Sequence, residues 1–204
     1  KTIQFMMPLS VQVKKGIGWN VESQRDPMGG MAHGNAGILM PVLYLWELTK
    51  KKEYGILAEQ IWKYEDSLYQ ERIGNWIDVR AKGEVEEDAV AWCHGAAGIL
   101  LSRVWCYERV TDKKWKNRLR TDAEKAYEKT SSYWKRDSWT LCHGCAGNLW
   151  ILEIAERVLE KRGIKRTVFD NVKLLPQERM NPGFMAGYGG ILFYLLERRE
   201  IDLK

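Results

Sequence analysis

The sequence predicts an all-α protein in which buried and amphipathic helices alternate in two layers, as in a helical solenoid or toroid. Three observations carry this. A His-Gly-x-x-Gly or Gly-x-x-Gly motif recurs four times, each copy opens a segment that is apolar nearly all round, and longer stretches with a one-sided apolar stripe lie between them. A segment buried on all sides belongs inside and a striped one outside, which gives an inner and an outer layer.

The copies read His33-Gly34-Asn35-Ala36-Gly37-Ile38, His94-Gly95-Ala96-Ala97-Gly98-Ile99, His143-Gly144-Cys145-Ala146-Gly147-Asn148 and Ala186-Gly187-Tyr188-Gly189-Gly190-Ile191. From first glycine to first glycine the steps are 61, 49 and 43 residues, so the expectation is a partial array of about four repeats with loops of unequal length. The inner helices are expected after Gly37, Gly98, Gly147 and Gly190. Pro41 is expected within the first turn of its helix, where a missing N–H is tolerated. Gly163 is the expected stop of the third inner helix. Outer helices are read from Leu57, Ile61, Tyr64 and Leu68, and from Trp115, Leu119, Ala123, Ala126, Thr130 and Trp134. Lys165 to Lys173 is a shorter candidate, and the best strand signal is Trp76-Ile77-Asp78-Val79-Arg80. The glycines themselves are explained by tight entry turns and close backbone approach.

Composition narrows the function. Of 204 residues 45 % are hydrophobic, enough for a sizeable core, and 32 Lys+Arg against 27 Asp+Glu leave only +5. Basic residues are interleaved with acids throughout, so no nucleic-acid partner is expected. The longest apolar run, Ala36 to Trp46, has eleven residues, about half of what a membrane span needs, so no transmembrane segment is expected. Four cysteines are too few for a disulfide scaffold, and with no export signal the expected compartment is the reducing cytoplasm. The sequence starts at Lys1 rather than Met, and an upstream portion is expected.

Chemistry is concentrated just before the glycines. Cys93-His94 and Cys142-His143 hold the same place in consecutive repeats, and equivalent loops of a curved array open on one face. Thiolate and imidazole are preferred zinc ligands, yet the same cysteines would serve as small apolar residues beside buried helices; spacing leaves both open. Cys106, mid-helix beside Trp105 and Tyr107, reads as core, while Cys145 could be a ligand or a bystander.

The motifs together resemble the C-terminal cyclase domain of class II lanthipeptide synthetases, within the lanthionine synthetase C-like family. Gly30 to Gly37 is similar to its histidine-glycine loop and Trp92 to Ile99 to its tryptophan-cysteine loop, with Ala97 where proline is commoner. Leu141 to Asn148 is similar to its cysteine-histidine loop, Pro182 to Ile191 to its last glycine loop, and Asn75-Trp76 with Asp78 and Arg80 to an element between the first two. The arginine that free-standing cyclases place four residues before the first cysteine is Ala89 here. The resemblance covers the whole chain in motif order. It implies an α/α toroid of seven repeats, of which residues 1–204 would be the C-terminal part, with the early repeats and an N-terminal dehydratase domain lying upstream.

The resemblance further implies one Zn²⁺ held by Cys93, Cys142 and His143, a catalytic His33, and a lanthipeptide precursor as partner. The implied reaction adds a peptide Cys thiolate to dehydroalanine or dehydrobutyrine, forming a (methyl)lanthionine thioether ring. Two rival readings are a zinc hydrolase and a non-enzymatic helical scaffold that binds peptides or proteins. The hydrolase would need a carboxylate base from Asp78, Glu86, Glu87 or Asp88.

Overall fold

A computed structural model describes residues 2–20, 26–77, 79, 88–133, 138–161 and 181–202. Four inner helices follow the glycine motifs: α2 (Asn35–Thr49), α4 (Ala96–Arg109), α6 (Cys145–Val158) and α7 (Tyr188–Asp202). Two outer helices, α3 (Lys52–Asp66) and α5 (Lys113–Ser132), turn back against α2 and α4. The inner helices pack in chain order, α2 on α4, α4 on α6 and α6 on α7. This is an arc of an α/α toroid, with its inner and outer layers as the sequence predicts.

The stripes explain the layering. Leu57, Ile61 and Tyr64 of α3 are buried, as are Trp115, Leu119, Ala123, Ala126 and Thr130 of α5, while most of the charged residues of both helices, Glu65 and Asp122 apart, lie toward the surface. Inner helix α4 buries Ile99, Leu100 and Val104 against both layers. Asp112 caps α5, its carboxylate accepting the Trp115 N–H at 2.9 Å. The two terminal inner helices keep large apolar residues at the surface: Tyr44 and Leu48 on α2, Leu192 and Leu196 on α7.

Several expectations are corrected. Each inner helix starts directly after the first glycine of its motif, so the second glycine lies inside the first turn. Its role is close approach. A Cβ on Gly37, Gly98, Gly147 or Gly190 would lie 1.9–2.3 Å from the carbonyl oxygen of Met31, Trp92, Leu141 or Phe184, the residue six positions earlier. Pro41 consequently falls in the second turn, where the Gly37 carbonyl loses its intrahelical donor; Pro41 is exposed, so water can serve that carbonyl. Helix α6 ends at Val158, and Glu160, at φ 54°, takes the left-handed reversal expected of Gly163, which lies outside the described residues.

Strands are few. A short helix α1 (Thr2–Met6) leads into the antiparallel pair β1 (Ser10–Val13) and β2 (Gly16–Trp19), with Val13 opposite Gly16. β2 packs on α3 through Gly16, whose φ of +95° and closeness to the Gln60 carbonyl admit no side chain. The β3 (Tyr69–Gln70) and β4 (Asn75–Trp76) hairpin is shorter than the strand signal suggested; Asp78 and Arg80 lie outside the described residues, as do Trp134 and the Lys165–Lys173 candidate.

Candidate functional site

The four glycine loops meet at one end of the inner layer, and a single backbone hydrogen bond joins each to the next. The Ala32 N–H donates to the Cys93 carbonyl at 3.1 Å, the Cys93 N–H to the Cys142 carbonyl at 3.2 Å, and the Cys142 N–H to the Met185 carbonyl at 2.8 Å. These residues hold the same motif position, immediately before His33, His94, His143 and Ala186. The ladder sets equivalent side chains in a row and puts Cys93 next to Cys142. Gly30, at φ +89°, allows the first loop to lie against the Cys93 carbonyl and the His94 backbone.

The thiols are where the geometry becomes chemical. Cys93 and Cys142 are half-buried, whereas His33 and His143 are exposed. The Cys142 side chain hydrogen-bonds Cys93 and His143, and these contacts, with the nearby charges of His143 and His33, push its thiol down to about 5 against the opposing effect of burial. A thiol so placed is a thiolate at neutral pH. Cys93 Sγ also lies 3.2 Å from His94 Nδ1.

The other cysteines are separate. Cys106 is buried in the core beneath α2, and burial pushes its thiol up to about 12. Cys145 begins α6 and is buried with Trp139 and Ile191. None of the four cysteines is in a disulfide. Of the carboxylates considered as a hydrolase base, Asp88 is engaged by Lys129 Nζ at 2.6 Å and Asn75 Nδ2 at 2.9 Å. Asp78, Glu86 and Glu87 lie outside the described residues.

Donor type fits zinc: two thiols in contact, one ionised at neutral pH, with an imidazole bonded to it. Cage geometry is not drawn closed, since among the described residues no group of three or more His, Cys, Asp or Glu is arranged to hold a metal ion.

Behind the first loop lies a charged cluster that sequence reading missed. Glu65 of α3 and Arg103 of α4 are fully buried, Arg103 bonds Asp122 of α5 at 3.2 Å and Glu65 at 3.4 Å, and its guanidinium stacks on Trp62 at 4.2 Å. Glu65 Oε1 accepts the Gly30 N–H at 3.0 Å, tying the His33 loop to the outer layer. Burial pushes the Glu65 and Asp122 carboxyls up, Arg103 opposing in both cases. The signal available was charge at inward positions of two striped helices.

Residues 2–202 match the lanthionine synthetase C-like protein family. The chain belongs to this family. It is 26 % identical over 174 residues to the lacticin 481/lactococcin biosynthesis protein LcnDR2 of Lactococcus lactis subsp. lactis, over 81 % of this chain and 18 % of that protein. It is 22 % identical over 196 residues to the nisin biosynthesis protein NisC of the same organism, over 85 % of this chain and 46 % of that one. Among solved structures, nisin cyclase superposes with a TM-score of 0.55 at 21 % identity, covering 82 % of this chain and 45 % of that one. The chain thus spans less than half the length of the relatives it matches. Among the described residues no helix is long and apolar enough to cross a membrane.

Proposed function

We propose that the chain is the C-terminal part of a zinc-dependent cyclase that closes (methyl)lanthionine thioether rings in a lanthipeptide precursor. The observation that supports this best is the junction of three loops that sets Cys93, Cys142 and His143 together with the charge of His33 close by. Cys93, Cys142 and His143 would hold the zinc, and when bound it would supply a Lewis acid that ionises the thiol of an incoming peptide cysteine. A peptide thiol of pKa about 8.5 is otherwise mostly protonated at neutral pH.

The remaining chemistry belongs to side chains of the chain. Addition joins the peptide sulfur to the β-carbon of the dehydro residue and leaves an electron pair on the α-carbon. His33, exposed on the loop beside the thiols and not among the three donors, delivers a proton to that α-carbon. The hydrolase reading loses Asp88 as its base, because that carboxylate is held by Lys129 and Asn75. The exposed apolar residues of α2 and α7 suit stacking against the inner helices of neighbouring repeats, supplied by the rest of a longer synthetase that works in the cytoplasm.

The test uses the full-length synthetase and its dehydrated precursor. Ring closure consumes one free thiol per ring at constant mass. A gain of one water per event would instead establish a hydrolase, and binding with neither change a scaffold.

A further inference from the structure

Comparison of the four loops isolates one side chain. In the first, third and fourth loops, the N–H of the first helical residue donates directly to the carbonyl seven residues earlier: Asn35 to Met28 at 3.3 Å, Cys145 to Ser138 at 2.9 Å, Tyr188 to Asn181 at 3.0 Å. In the loop that carries Cys93 this closure is replaced by an amide. Ala96 N–H donates to Asn75 Oδ1 at 2.8 Å, while Asn75 Nδ2 donates to the Ala89 carbonyl at 3.0 Å. Asn75 is inserted into the bond that the other loops make directly.

The substitution changes the turn. Gly95 has φ +77°, where Gly34 and Gly144 have −129° and −116°. The His94 carbonyl turns inward to accept the Ala91 N–H at 3.0 Å. Corresponding N–H groups elsewhere use Ser138 Oγ (Thr140) and Asn181 Oδ1 (Gly183), acceptors within their own loops; Ala89 offers no such group. Asn75 is fully buried, its Oδ1 also accepts the Trp76 N–H, and its second amide hydrogen goes to Asp88. All four hydrogen-bonding positions of the carboxamide are filled, which fixes its orientation.

We propose that Asn75 is a positioning residue for Cys93: by bridging Ala89 to Ala96 it sets the turn that holds the Cys93 thiol against Cys142. This rests on reading those two thiols as the reacting centre. Phenylarsine oxide, which releases water as it bonds two adjacent thiols, reports their separation without metal or peptide substrate. In the chelator-treated full-length protein, the wild type should capture the arsenical in a form that 2,3-dimercaptopropanol reverses, and Cys93→Ala should not. Asn75→Ala should capture it about tenfold more slowly or worse, the scale set by small misplacements of paired groups, with four titratable thiols in the described chain as before. Asp88→Ala, which removes the acceptor behind Asn75 together with the bond to Lys129, should act in the same direction and less.

A merely structural role would lower the melting temperature and leave the capture rate of the folded protein unchanged. Capture by folded Asn75→Ala at about the wild-type rate therefore overturns the proposal. If that variant does not fold, slowed capture by Asp88→Ala supports the proposal and wild-type capture overturns it. The cyclase reading fails by a different result: ring closure by Cys93→Ala would remove it while leaving the arsenical outcome intact.

Discussion

Two polar clusters lie close to the His33 loop, one on each side, and they solve opposite problems. Glu65, Arg103 and Asp122 are sealed between the layers, where each charge finds a partner and Trp62 covers the guanidinium. Cys93, Cys142 and His143 stand at the loop end, half-buried or exposed, where a thiol is pushed down to about 5. The first cluster spends its electrostatics on holding helices and a loop in register. The second leaves an ionised sulfur within reach of solvent. Burial of charge therefore marks architecture here, and exposure of a perturbed thiol marks chemistry.

The sharpest way to break that contrast is to remove the open cluster. Cys142→Ala should abolish zinc retention and ring closure while the far-ultraviolet circular dichroism stays helical, because among the described residues Cys142 is half-buried at the loop end and is not part of a hydrophobic core cluster. His33→Asn should keep full zinc and lose ring closure by ~10²–10⁴-fold, the usual scale for a proton-transfer group. Metal analysis and precursor mass spectrometry check both; zinc loss in His33→Asn would make it a ligand instead.

The closed cluster should respond in stability. Arg103→Met leaves Glu65 and Asp122 buried without their common cation and should cost about 3–5 kcal/mol in urea unfolding. Adding Glu65→Gln and Asp122→Asn should recover much of this, since breaking a buried pair is worse than removing it.

A third test compares two thiols directly. In metal-free protein, iodoacetamide should label Cys142 at a rate already near its plateau at pH 7 and falling to half near pH 5, because protonation removes the nucleophile. Cys106, pushed up to about 12 and buried, should stay unlabelled throughout, and added zinc should protect Cys142. The smallest effect belongs to neither cluster: Asp112→Ala removes the α5 cap and should cost about 1 kcal/mol with unchanged ring closure.

The periodic features were legible in the sequence and the non-periodic ones were not. Leu57, Ile61 and Trp115, Leu119 announced the outer helices because a stripe at helical spacing has one physical meaning. The motif repeat placed Cys93 and Cys142 in equivalent loops, and the ladder makes them neighbours. Helix starts were misread by three residues because the second glycine was taken for a turn, whereas a carbonyl six residues back presses on it inside the helix. The β1–β2 pair escaped notice because Gly16 and Gly18 dilute its alternation. The bridging roles of Glu65 and Asn75 were silent for a stronger reason, although Asn75 stood in a recognised motif: their partners, Gly30, Ala89 and Ala96, lie 35, 14 and 21 residues away, and nothing local marks a side chain reserved for such a distance.

The hydrogen-bond ladder through Ala32, Cys93, Cys142 and Met185 also decides where this chain can change in length. Every rung joins the same motif position in adjacent repeats, so one added residue between a rung and its helix would shift a thiol off its neighbour and rotate that helix by about 100°. The spans of 61, 49 and 43 residues differ elsewhere: the α2–α3 and α4–α5 turns have two and three residues, whereas 29 residues run from the end of α3 through Gly95 and 12 from the end of α5 through Gly144. Peptide insertions at the exposed tip of the β3–β4 hairpin, Glu71–Arg72, should therefore be accepted, and a single alanine inserted after Cys142 should not: the rungs act as a ruler, and the connections that lead into them as slack.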